Sequence, residues 1–244
     1  MRALYALCLR GVLLAVPLAC AHAEGDPRVA SAAEGPLVLE LFTSQGCSSC
    51  PPADRLLSKL ASSDSPADRT LAPLSFHVDY WNDLGWADPF SLPAWTERQR
   101  QYARALGDNR VYTPELVVGG ATGMVGSNAS AVTQAIQRAA RPALLAATAA
   151  WTKDSVTVTA TAPEDAEVWV AVWEDGTSTK VTRGENSGET LGSVRVVRRL
   201  ERVATAGQKA STAVKVDPAW HATGAVAFAQ RADRRIIASA LLPR

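Results

Sequence analysis

Leu37-Val38-Leu39-Glu40-Leu41-Phe42, followed by Cys47-Ser48-Ser49-Cys50-Pro51 and then Pro52-Ala53-Asp54-Arg55-Leu56-Leu57-Ser58-Lys59-Leu60, is the stretch that decides how this chain folds. The first run is nearly continuous in apolar residues and reads as a buried strand. In the last run Leu56, Leu57 and Leu60 fall on one face at helical spacing, so a helix opens at the cysteines. The chain has four cysteines, and the other two, Cys8 and Cys20, lie in a segment that reads as a signal peptide. A mature chain whose thiols form a single C-x-x-C pair is not a multi-disulfide scaffold, and it lacks the four thiols of a zinc ribbon. A redox pair, a partial metal site or one local staple remain.

The N-terminal residues bear on compartment. Arg2 and Arg10 precede the apolar run Gly11 to Leu18, and Ala21-His22-Ala23 supplies small residues for cleavage, so residues 1–23 read as a signal peptide. A rival reading lipidates Cys20 after Leu18-Ala19, although Pro17 occupies a position where an aliphatic residue is usual. Both readings export the chain, to the periplasm or beyond, where a cysteine pair can stay oxidised or be cycled. Residues 24–36 read as a mobile lead, and no later run is long enough to span a bilayer. With 47% hydrophobic and 20% charged residues and a formal net charge of +1, the composition is that of a soluble globular protein. That charge balance points to neither a nucleic acid nor an anionic membrane.

Beyond the first helix, Leu71 to Asp79 reads as a second strand. An aromatic loop with Trp81, Trp86 and Phe90 follows, then a helix from Pro93 to Leu106. Thr113-Pro114 leads into a strand at Glu115 to Val118, another strand ends near Val125, and a last helix opens at Gly126-Ser127-Asn128. With the C-x-x-C at the start of the first helix and Thr113-Pro114 before the third strand, this order resembles the thioredoxin fold. Leu41-Phe42-Thr43-Ser44-Gln45-Gly46-Cys47, His77-Val78-Asp79-Tyr80-Trp81, Tyr112-Thr113-Pro114 and Gly184-Glu185-Asn186 more narrowly resemble a secreted bacterial thioredoxin-like family catalogued as a domain of unknown function. The resemblance implies a thioredoxin-like domain over residues 37–145, a redox-type site and a cis peptide at Thr113–Pro114. It implies no substrate and no cofactor.

Cys47 at a helix N-terminus would meet unpaired N–H groups and the positive end of the macrodipole, which lower a thiol pKa. Cys47 is therefore the expected nucleophile, reachable from solvent, and Cys50 the more shielded resolving thiol. Ser48 and Ser49 are candidate donors to the thiolate. Strand ends on one sheet edge bring Asp79, Tyr80 and Trp81 toward the cysteines, where Tyr80 and Trp81 join Thr113 and Pro114 as a substrate groove and Asp79 supports it. Trp81 divides between groove wall and core cover, and Trp86 reads as core cover. His77 shares a strand face with Asp79. With Cys47 and Cys50 it would complete a Cys2His copper site, the alternative to a satisfied core histidine.

Residues 150–244 change character. Ser155 to Ala160 alternates, Glu167 to Trp173 is apolar on both faces, and Asp175-Gly176 signals a hairpin. Further strands are expected at Ser193 to Val203, Thr212 to Val216, Gly224 to Gln230 and Arg235 to Leu241. The reading is a separate antiparallel β-sandwich-like domain. Arg195, Arg198, Arg199 and Arg202 read as a solvated strand face or an anion receptor, and Gly184 to Gly188 as structural turn. The expected fold class is thus α/β plus all-β, and the expected function an exported thiol–disulfide oxidoreductase acting on protein or small-molecule thiols. A copper metallochaperone and a non-catalytic binding module with a fixed disulfide are the alternatives.

Overall fold

The computed structural model describes residues 33–62, 68–108 and 110–244. Both readings of the export signal, with Cys8 and Cys20, and most of the 24–36 lead lie outside the described residues. Strand β1 (Leu37–Thr43) is buried along its whole length. It pairs in parallel with β2 (Leu71–His77) and antiparallel with β3 (Glu115–Val118), which pairs in turn with β4 (Thr122–Val125).

Side chains alternate along a strand, so β1 serves two cores. Leu37, Leu39 and Leu41 pack with Ala53 and Leu57 of helix α1 (Pro51–Ser62) and with Val132 and Ile136 of α3 (Ala129–Arg138). Val38 and Phe42 face the other way, toward Trp95 and Tyr102 of α2 (Pro93–Leu106). Helices therefore flank this part of the sheet on both faces, with α1 projecting from the end of β1.

The sheet does not stop at β2. Strand β11 (Val196–Ala204) joins the free edge of β2 in parallel at Ser75↔Val196, with Ser75 N–H donating to Arg195 O at 3.1 Å. Next come β8 (Glu167–Glu174), β13 (Thr223–Gln230) and β14 (Ile236–Leu242), all antiparallel, and last the short β5 (Ala143–Leu144). The result is one mixed sheet of nine strands in the order β4-β3-β1-β2-β11-β8-β13-β14-β5. A three-stranded sheet of β6 (Ala147–Trp151), β7 (Ser155–Thr161) and β12 (Lys209–Lys215) packs on its C-terminal part through Val156, Val158 and Val214. Strands β9 (Thr177–Lys180) and β10 (Thr190–Ser193) form a separate hairpin.

This overturns the expected fold class. The protein is mainly β, built on a single large sheet, and is not a thioredoxin-like α/β fold followed by a β-sandwich. Most local elements form where their residues predict them. The error lay in pairing, because an apolar run such as Glu167 to Trp173 signals a central strand but not which sheet it is central to.

A buried ion pair ties the two stretches of sheet together. Glu40 on β1 accepts from Arg98 Nε at 2.6 Å and from Arg98 Nη2 at 2.9 Å. Tyr102 O–H also donates to Glu40. Gln230 on β13 completes the set, its Nε2 donating to Tyr102 at 2.8 Å. The Arg98 guanidinium also lies over the rings of Phe76, Tyr102 and Phe228.

Candidate functional site

Cys47 and Cys50 form a disulfide in the turn between β1 and α1. Cys50 N–H donates to Cys47 O at 3.2 Å, and Cys50 O accepts from Ala53 and Asp54, so Cys50 begins the first helical turn. Pro51 and Pro52 bring no N–H, which strips this helix start of donors it would otherwise offer an anion. Ser49 supplies one instead. Its hydroxyl lies 3.3 Å from Cys47 Sγ and 3.5 Å from Thr113 O. The Thr113–Pro114 peptide is cis. Trp81 Nε1 donates to Thr113 Oγ1 at 2.8 Å, and its Cβ lies so close to Gly46 that an added side chain there would meet it at 3.1 Å. The structure thus brings Cys47, Cys50, Ser49, Trp81, Thr113 and Pro114 together.

Two further expected site residues turn toward α2. Asp79 exchanges hydrogen bonds with Thr96 of α2, and Tyr80 O–H donates to Gln99 at 3.2 Å. Burial pushes the Tyr80 phenol up to about 12. Asp79 thus seats α2, while Tyr80 lies between Gln99 of α2 and Thr113 beside the cysteines. Trp86, read as core cover, donates from Nε1 to Gln45 Oε1 at 3.2 Å, close to the motif. The arginines of β11 are engaged: Arg198 pairs with Glu174 at 2.9 Å and stacks on Phe90 and Trp220, and Arg202 pairs with Glu167.

Neither sulfur is open to solvent, against the expectation of a reachable Cys47. The loop between β9 and β10 closes on the backbone of the motif. Asn186 Nδ2 donates to Gln45 O at 2.9 Å and to Cys47 O at 3.0 Å, and Ser48 N–H donates to Glu185 Oε2 at 3.0 Å. The Ser48 contacts hold the exposed Glu185 carboxyl below its usual range. Gly184 and Gly85, both at positive φ, let that loop touch the aromatic loop backbone to backbone: a Cβ on Gly85 would lie 3.3 Å from Gly184 Cα. The Gly184-Glu185-Asn186 string was visible in the sequence, but its 139-residue reach to Cys47 was not.

Behind the disulfide lies a buried polar cluster. Thr43 and His77 are register partners at the ends of β1 and β2. His77 Nδ1 and Asp88 Oδ2 are 2.7 Å apart, and Gln45 N–H donates to the same oxygen at 2.8 Å. Burial opposes the charged form of both side chains. Their mutual attraction outweighs it, with His77 raised and Asp88 lowered from their ordinary pKa values, so each side chain favours the charged form of the other. Asp54, one turn into α1 from Cys50, completes the cluster. Burial raises its carboxyl to about 6, against the lowering influence of His77. Thr43 stands near Asp54 and favours its anion, but falls short of full hydrogen-bonding geometry. Three atoms here have no partner among the protein atoms, Thr43 Oγ1, Asp54 Oδ1 and His77 Nε2, as has Nε2 of the Gln45 amide that Trp86 engages.

For the alternative metal set of Cys47, Cys50 and His77, the sulfurs are bonded to each other and His77 Nδ1 is engaged by Asp88. Among the described residues no three His, Cys, Asp or Glu side chains are grouped to hold a metal ion. Beside the cis bond, burial raises Glu115 to about 7, and its carboxylate accepts from Gln99 at 2.8 Å.

Residues 38–230 match a family described as a protein of unknown function, DUF1223. The chain belongs to that family. A crystal structure of a protein from Agrobacterium tumefaciens is similar over 87% of this chain and 96% of its own, with 28% identity and a TM-score of 0.66. HBP35 of Porphyromonas gingivalis shares the fold at 14% identity and a TM-score of 0.57, over 86% of this chain and 75% of its own. No curated protein matches. No helix among the described residues is long and apolar enough to cross a membrane.

Proposed function

We propose that this protein is an exported thiol–disulfide oxidoreductase working through Cys47 and Cys50. The observation that carries the reading is the Cys47–Cys50 disulfide at the opening of α1, with the Ser49 hydroxyl on one sulfur and the Thr113–Pro114 loop alongside. A partner thiolate attacks Cys47 Sγ, the S–S bond breaks, and its electron pair leaves on Cys50. The partner's second thiol then resolves the mixed disulfide and releases Cys47. Two electrons and two protons pass from a dithiol to the cysteine pair, or back when the pair reduces a partner disulfide. Ser49 stabilises the Cys47 thiolate, and the Glu185–Asn186 cover must part for the partner to enter.

That cover favours a second reading, a fixed disulfide within a binding module. One experiment separates the two. Equilibrate the folded full-length chain with dithiothreitol redox buffers, and express Cys50→Ala in an exporting cell. Reversible reduction with covalent partner adducts on Cys47 supports the oxidoreductase. A disulfide that opens only on unfolding, with no adducts, leaves the binding module.

A further inference from the structure

Arg198 and Arg202 on β11 pair with acids, but Arg195, the residue just before that strand, does not. Its Nη1 is buried and has no hydrogen-bond partner. Burial works against its charge, and among the described residues Asp175 is the acid that offsets this. Asp175 is itself occupied, since its Oδ1 accepts from Gly176 N–H at 2.9 Å and from Arg195 N–H at 3.2 Å. The Arg195 backbone is left-handed, with φ at 44°, a region that residues other than glycine seldom enter. Two contacts fix it there. Its carbonyl accepts from Ser75 N–H at 3.1 Å, at the joint between β2 and β11. Its guanidinium lies 5.1 Å from the centre of the Trp173 indole. Trp173 is seated just as closely. Its register partner on β13 is Gly224, where an added Cβ would lie 2.5 Å from Trp173 Cζ2, so only glycine leaves the indole room against that strand.

Arg195 and Trp173 line a cavity of about 450 Å³ where β8 ends, β13 begins and β14 ends. Small-molecule sites span roughly 300–1,000 Å³, so this one has room for an organic ligand. Leu241, Leu242 and Pro243 give it an apolar wall, and Leu241 keeps 36% of its surface exposed. Arg244 lines the same space, its guanidinium bound to neutral oxygens of Thr223, Thr152 and Lys153. We propose that this cavity binds a small organic carboxylate with an apolar body, its carboxylate taken by Arg195 and its body laid along Leu241 and Pro243. The inference stands apart from the cysteines and uses none of their contacts. A guanidinium offers paired N–H donors in one plane, the geometry that a carboxylate matches. Such a ligand gives the orphaned Nη1 its acceptor, and the Trp173 stack holds the fork in place before the ligand arrives. An inorganic anion lacks the body that the wall selects. A neutral alcohol lacks the charge.

The test is isothermal titration calorimetry of the folded full-length chain with sodium octanoate and sodium phenylbutyrate. At least one of them should bind at a single saturable site. Octanol and inorganic phosphate, each carrying half of the recognised chemistry, should bind about 10-fold more weakly or not at all. Arg195→Met keeps a stem over Trp173 but removes the charge, and should weaken the carboxylate by about 10-fold or more. Leu241→Glu sets a like charge on the wall at a part-exposed position, and should weaken it as well. That second variant decides the matter if Arg195→Met fails to fold, which circular dichroism checks for both. Failure of both carboxylates to bind overturns the proposal. So does an affinity that either folded variant retains, or one that octanol or phosphate equals.

Discussion

Two buried polar networks stand on the same sheet, both touching β1, and they differ in how completely their atoms are paired. Around Glu40, both carboxylate oxygens, the Arg98 guanidinium, Tyr102 O–H and the Gln230 amide are all satisfied. Around Asp54, three side-chain atoms have no partner among the protein atoms. A buried polar group that neither protein nor water satisfies costs about 1–3 kcal/mol, so the first network, closed by protein atoms alone, fixes the fold more firmly than the second. The comparison separates a polar core whose side chains pair with one another from one whose side chains leave atoms unpaired beside the cysteine motif.

The largest effect should come from breaking the closed network. Arg98→Met leaves Glu40 charged and buried, and urea denaturation should show a loss of about 3–5 kcal/mol. Adding Glu40→Leu should recover much of it, since the stranded charge, rather than the lost pair, sets the cost.

The open network should respond with the opposite sign. Asp54 protonates at about 6 in the folded chain, against a reference value of 3.8. The folded state therefore resists ionising it, and stability falls as pH rises from 4 through 6. At about 1.4 kcal/mol per pKa unit, the full penalty above that window approaches 3 kcal/mol. Asp54→Asn should remove it, raising stability at pH 8 by about 1–3 kcal/mol and changing little at pH 4. An amide that destabilises equally at both pH values would place Asp54 with the structural set.

The smallest of these effects should come from the cover. Asn186→Ala deletes the donor to Gln45 O and Cys47 O, and should lower stability by about 1–2 kcal/mol. Reduction of the disulfide by dithiothreitol should quicken in the same variant. Unchanged reduction would show that the loop covers the sulfurs without limiting access.

Legibility in the sequence followed distance along the chain. The strand, C-x-x-C turn and helix around Cys47 were plain, because apolar period and turn residues are local signals. Thr113-Pro114 and Trp81 were placed beside the cysteines from their context. Asp88 and the β2–β11 pairing carried no local signal. Asn186 stood in a string that resembled the family but with nothing to tie it to Cys47, and a single register pair, Ser75↔Val196, joins what read as two domains. Strand period specifies which face is buried, not which partner lies along the edge.

Vectorial synthesis gives the cover one more consequence. A chain made from its N-terminus displays Cys47 and Cys50 long before Asn186 exists, 139 residues later. During that interval the cysteines stand at the end of an unfinished sheet, without the loop that later closes on the motif. The hairpin that encloses them arrives only after the bond can already have been made. Forming the bond during synthesis and opening it in the finished molecule would thus be different events for the same two sulfurs. The first meets no barrier from the loop, and the second must lift it.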